Sequence, residues 1–345
     1  ILAVTLDRSG RHVAGRPTPV HDPVEVYQQA NGNSEIFVSK GGALLASRGG
    51  TNTRLVWITR EGKVTLLSPE SRQFADPRLS PDGSRIAVAV SVAGKWAIWI
   101  YEIASGTFSR LTSPAGAVSP SWTADGDTVV YTALRSENRF AVWRQAADGA
   151  SPAQKLFDTP FFTSHSVVAP DGRSVVYVGY ENNHWRLFRV ALDSPTVATQ
   201  FVEDETLNFP PAFSRDGKWV TYTGVQESGR PDAYIRSYPN PSVRLQLSAR
   251  AGANDMWARD SNRVYYHQFP SVLSATLATT PRLRVVARDT VFKVPPELPG
   301  SGLAGVEDVA RDGRFLGLVT NPNDYQLVIV PNWLTELKER LAGAR

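Results

Sequence analysis

Apolar residues two apart, rather than three or four, set the rhythm of this chain. Ile86 and Val88, Val129 and Tyr131, Val175 and Tyr177, Val220 and Tyr222, and Val264 and Tyr266 form such pairs. Alternation of β-branched and aromatic residues on a period of two marks a strand, because successive side chains point to opposite faces. Each pair follows a turn signal at constant distance: Asp82-Gly83, Asp125-Gly126, Asp171-Gly172, Asp216-Gly217 and the degenerate Asp260-Ser261-Asn262. Asp312-Gly313, followed by Leu316 and Leu318, and the earlier Gly41-Gly42 extend the series. Glycine supplies the positive φ that a tight hairpin needs. Before the marks stand an apolar column (Leu79, Trp122, Val168, Phe213, Trp257, Val309) and a small one (Ser80, Thr123, Ala169, Ser214, Ala258, Ala310). Each mark therefore joins two antiparallel strands.

The marks recur every 41 to 52 residues, a period shared by four-stranded propeller blades and helical repeats. The strands decide between them. A third strand follows most hairpins, as in Ile98-Trp99-Ile100-Tyr101, and a fourth ends several units, as in Phe108 to Thr112 and Arg244 to Leu247. The chain is predicted to be all-β, a β-propeller of four-stranded blades. Seven marks predict seven blades; six blades with an appended hairpin is the alternative. One array is expected over residues 1–331, with units marked near 41, 82, 125, 171, 216, 260 and 312. An N-terminal strand is expected to close the last blade and remove its open edge. The columns Trp57/Trp99/Trp143 and Tyr131/Tyr177/Tyr222/Tyr266 are expected between blades. In 332–345 the period changes, with Leu334, Leu337 and Leu341 at helical spacing. A short amphipathic C-terminal helix is predicted, lying on its own propeller or docking on a partner or membrane surface.

Of the 345 residues, 42% are hydrophobic and 20% charged, enough apolar material for a core. The net charge is +4, without any Lys/Arg block, and nucleic acid is not an expected partner. The lack of cysteine excludes disulfides, thiolate metal sites and a thiol nucleophile. No apolar run approaches the ~18 residues of a membrane helix. The first residue is Ile1, and an upstream segment is expected.

The units Pro77-Arg78-Leu79-Ser80-Pro81-Asp82-Gly83 and Pro211-Ala212-Phe213-Ser214-Arg215-Asp216-Gly217 resemble the TolB-type, WD-like propeller repeat. Leu55-Val56-Trp57-Ile58-Thr59-Arg60-Glu61-Gly62 and Pro331-Asn332-Trp333-Leu334-Thr335-Glu336-Leu337-Lys338 look like the C-terminal propeller of bacterial receptor-type serine/threonine kinases. That second resemblance implies an extracytoplasmic, periplasmic sensor or interaction module. Kinase motifs are absent from this sequence, so a kinase would lie outside it.

Chemistry is sparse. The sequence lacks Gly-x-Ser-x-Gly, His-Glu-x-x-His and a phosphate-binding loop, and its histidines (His12, His21, His165, His184, His267) are not spaced as metal ligands. No catalytic residue, metal or cofactor is assigned. The acidic run Glu203-Asp204-Glu205 reads as a solvated loop. Propellers bind through the loops between blades, where Phe161, Phe162 and Phe209 lie beside Arg72, Arg250 and Asp255. Exposed aromatics near Arg are common at protein interfaces. These six and the tail residues Trp333, Leu334, Leu337 and Leu341 are the candidate partner-binding set. The expected function is a non-catalytic scaffold, an extrinsic subunit that docks on and stabilises a multi-subunit membrane complex. The alternatives are the kinase sensor domain and a hydrolase or lyase working in the channel. The last requires His165 to pair with Asp255, Glu307 or Asp308.

Overall fold

The structure, a computed structural model, describes residues 2–3, 18–19, 36–49, 52–113, 116–136, 139–195, 197–202, 206, 209–225, 229–259, 262–296, 298, 305–320 and 325–343. Two compact units emerge, Thr53–Val319 and a smaller one built from Ile1–Asn52 with Thr320–Arg345.

In the smaller unit, β1 (Leu2–Ala3) pairs with β2 (Thr18–Pro19). Strand β3 (Ile36–Val38) pairs with β4 (Leu44–Gly49), whose other side takes β29 (Tyr325–Val330). Helix α1 (Trp333–Gly343) follows, and Trp333 is buried with Leu44 while Leu337 and Val330 pack around them.

The larger unit begins with β5 (Thr53–Ile58) and β6 (Val64–Leu66). Blade 1 is β7 (Phe74–Leu79), β8 (Arg85–Val92), β9 (Lys95–Glu102) and β10 (Thr107–Arg110). Blade 2 is β11 (Ala117–Trp122), β12 (Thr128–Ser136), β13 (Arg139–Ala146) and β14 (Gln154–Thr159). Blade 3 is β15 (Phe162–Val168), β16 (Ser174–Glu181), β17 (His184–Ala191) and β18 (Ala198–Gln200). Blade 4 is β19 (Ala212–Phe213), β20 (Trp219–Val225), β21 (Pro231–Ser237) and β22 (Arg244–Gln246). Blade 5 is β23 (Ala253–Trp257), β24 (Arg263–Gln268), β25 (Ser271–Ala278) and β26 (Arg284–Lys293). Blade 6 joins β27 (Val306–Val309) and β28 (Phe315–Thr320) to β5 and β6.

Among the described residues there are six four-stranded blades, as in the alternative reading, not the seven expected from the marks. The cause is an exchange. The strands around the Gly41 mark divide: β5 and β6 complete blade 6, and β3 and β4 stay with β29. Strands β5 and β6 complete the sheet that β27 and β28 begin, and β1 pairs with β2. The open edge beside β28 is removed.

Small residues before the Asp-Gly marks have a hydrogen-bonding role. The Ser80 hydroxyl donates to Asp82 Oδ1 at 2.5 Å and accepts the Arg85 N–H at 2.9 Å. The same loop recurs at Thr123/Asp125 and Ser214/Asp216. Hydrogen bonds from Ser80 and Ser84 hold the Asp82 carboxyl far below its usual range. Gly83 and Gly126 both have φ +79°, a conformation open to glycine.

Six apolar clusters lie one between each pair of neighbouring blades. The tyrosine column falls there as expected: Tyr131, Tyr177, Tyr222 and Tyr266 are each in a different one. Burial raises the Tyr131 phenol to about 12. Ring closure is carried by Leu55, Trp57, Leu316 and Leu318 of blade 6 against Leu79, Ile86 and Val88 of blade 1.

Leu55 is fully buried in that seam, so Leu55→Ala is expected to lower unfolding free energy by about 2–4 kcal/mol in urea titrations. The matched change at Leu66, 59% exposed on β6, should stay within about 0.5 kcal/mol.

Candidate functional site

The first strands β7, β11, β15, β23 and β27 pack on one another and line the axis. Each carries a register shift of the bulge type. In four of them the bulge holds a non-glycine residue at positive φ: Asp76, Ser119, His165 and Asn254, each six residues before its Asp mark. A bulge re-aims side chains, and here it turns polar groups toward neighbouring blades.

These groups are mostly engaged. Ser119 Oγ donates to Asp76 Oδ2 at 3.0 Å, and Ser121 Oγ to the Ser166 carbonyl at 2.6 Å. Arg78 forms an ion pair with Glu307 at 3.5 Å. Burial raises the Glu307 carboxyl above its usual range, with Arg78 opposing and Asp76 adding to the rise. Asp308 accepts the Leu79 N–H and the Arg259 guanidinium, both at 2.9 Å. Arg259 also donates to the carbonyls of Val309, Leu79 and Ser80, so a blade 5 side chain ties blade 6 to blade 1. Arg215 and Arg311 stand at the equivalent position of two other units, whereas Pro81, Ala124 and Pro170 fill it in the rest, so the repeat alone does not single out Arg259.

Asp255 differs. It is fully buried, and neither carboxyl oxygen has a hydrogen-bond partner among the described residues. Burial pushes its pKa well above the ordinary carboxylate range. It therefore forms no pair with His165, and Glu307 and Asp308 are bound to arginine. Among the described residues no three His, Asp or Glu are grouped to hold a metal ion.

At the loop rim, Phe161 is half-buried against Phe188 at 4.8 Å and Tyr177 at 6.5 Å, plugging the blade. Phe162 is 46% exposed and touches Phe140 edge-on at 4.7 Å. Phe162, Tyr180 and Trp185 are direct cross-strand partners in blade 3, and both Phe162 and Tyr180 contact Trp185. Exposed Leu134 lies opposite Phe140 in blade 2. The result is an apolar ridge over blades 2 and 3. Sequence reasoning misses Tyr180 and Trp185, although they are the second cross-strand pair from the two-residue turn Asn182-Asn183.

The other candidates scatter. Arg72 pairs with Glu70 and sits over Trp99 at 4.9 Å and Phe108 at 5.3 Å. Phe209 is half-buried and Arg250 exposed. Trp333 and Leu337 belong to the core of the smaller unit, and Leu334 is 41% exposed beside Gly42. The Leu341 side chain, His12, His21 and Glu203–Glu205 lie outside the described residues.

Four antiparallel strands per blade, six blades and a last blade shared by both ends of the ring define a closed β-propeller. The sequence pattern of the TolB beta propeller domain family matches residues 59–252, and the chain belongs to that family. A putative TolB from Agrobacterium tumefaciens is similar in fold, with TM-score 0.58 and 15% identity over 80% of this chain and 99% of that one. TolB from Acinetobacter baumannii gives TM-score 0.51 and 14% identity over 81% and 66%. The uncharacterized peptidase YuxL of Bacillus subtilis is 24% identical over 207 residues, 46% of this chain and 31% of YuxL.

Two substitutions test the axis. Arg259→Leu strands Asp308 and is expected to lower stability by about 3 kcal/mol in denaturant titrations. Asp255 keeps its proton in the folded state after the unfolded chain has lost it, so stability should fall as pH rises from about 4 toward the folded pKa, then level. In Asp255→Asn that decline should vanish, leaving the variant more stable than the parent at pH 8 in thermal melts.

Proposed function

We propose that this chain is a non-catalytic, extracytoplasmic interaction module, an extrinsic subunit that docks on a membrane-associated protein assembly and stabilises it. The observation that carries this reading is the ridge of Leu134, Phe162 and Tyr180, apolar and exposed at the ends of blade strands, with half-buried Trp185 in contact with the two rings. Aromatic anchors on a preorganised surface lose little entropy on binding. The carboxylates near the axis support it from the other side, since Glu307 and Asp308 are held by arginine.

Phe162→Ala with Tyr180→Ala should leave the melting temperature almost unchanged, since both rings are already half in water. Recovery of the membrane assembly in mild detergent should fall at least tenfold, as expected for two interface anchors worth ~1 kcal/mol or more each. Equal recovery by parent and variant would falsify the reading.

The match to YuxL favours a second reading, a propeller serving hydrolase chemistry. It predicts peptide hydrolysis by the purified chain that disappears in His165→Ala.

A further inference from the structure

The sequence holds no cluster of consecutive cations, yet the fold makes one. Residues 243–293 contain eight Lys or Arg against three Asp, a net of +5 in a chain whose total is +4. Much of this excess lies on the outer strand of blade 5. Strand β26 has ten residues, whereas the outer strands of the other five blades have three to six. It carries Arg284, Arg288 and Lys293, with Arg282 in the turn before it, and Asp289 is its one acid. All five side chains are exposed. Arg288 donates to the carbonyls of Leu247, at 2.6 Å, and Gln246, which draws the outer edge of blade 4 alongside. That edge adds Arg244, exposed and stacked on Tyr234 at 4.2 Å. Val286 and Val243, 50% and 41% exposed, stand among the cations.

We infer that this edge of blades 4 and 5 rests directly on an anionic lipid surface. Charge complementarity names the occupant. A ten-residue strand spans roughly 33 Å, so its exposed cations are spread along one outer edge that a flat, uniformly negative surface can run beside. The exposed valines suit the boundary between headgroups and acyl chains. A second copy of the strand fits less well, because β26 bulges against β25 at two places and bulges spoil an edge for further pairing. This contact is separate from partner docking on the loop ridge: lipid binding and assembly recovery are independent readouts.

The test uses the purified full chain and sedimenting vesicles, either pure phosphatidylcholine or with about one-third phosphatidylglycerol. Binding should require the anionic lipid and fall at least tenfold between about 50 and about 500 mM salt. Each basic side chain near such a surface is worth about fivefold in partition. Arg282→Gln, Arg284→Gln and Lys293→Gln together should therefore reduce partition about a hundredfold with an unchanged melting temperature. The control changes, Lys95→Gln, Arg110→Gln and Arg173→Gln, remove the same charge from exposed positions on blades 1 and 3 and should retain most binding. Three results would overturn the inference. The first is vesicle binding indifferent to lipid charge, which would leave the cations as guards of an open edge. The second is a control triple that loses as much as the test triple. The third is edge-dependent binding of a DNA duplex without binding of vesicles.

Discussion

The placement of β28 beside β5 is the constraint on which the molecule rests. A blade has two apolar faces and can bury both only between neighbours. Five blades are continuous in sequence, but the sixth exists only when the two ends of the ring meet in one sheet. Leu55 and Leu316 then reach blade 1, and Val56, Phe315 and Val309 reach blade 5. Without that meeting, two seams would face water at once. The polar span made by Arg259 across blade 6 to blade 1 reinforces the same joint.

Much of this architecture was legible because propeller repeats are written locally. Asp-Gly turns and the alternation after them identify hairpins without knowledge of the rest, and the tyrosine column announces inter-blade seams. The blade count was not legible for a physical reason. Strands β3 and β4 have the pattern of a blade's beginning, and no local property tells β5 to leave them for β28. Partner choice between similar strands is a long-range decision, settled by which seam buries more. The C-terminal helix was equally plain from Leu334 and Leu337, but its register did not say that Trp333 and Leu337 face inward.

The site was less legible than the fold. Phe161 and Phe162 are adjacent and chemically identical, yet one packs on Phe188 and the other meets solvent. Alternation places them on opposite faces, but which face is buried depends on the neighbouring blade. Asp255 looked like a loop residue beside the binding face and is instead sealed without a hydrogen-bond partner among the described residues. The cations of β26 escaped attention because they are spread through the sequence and converge only along a strand edge.

The pairing of Leu44 with Val330 carries a consequence for biosynthesis. On the ribosome, the first half of that small sheet must wait until β29 is made, and the last blade of the ring until β27 and β28 are made. At ordinary translation speeds the wait is on the order of tens of seconds. A product truncated anywhere before its final strands is left with two unmet edges, one at each place where early and late segments should join. Arrival of β27 to β29 is thereby registered in the tertiary structure, and copies that stop short of them expose those edges.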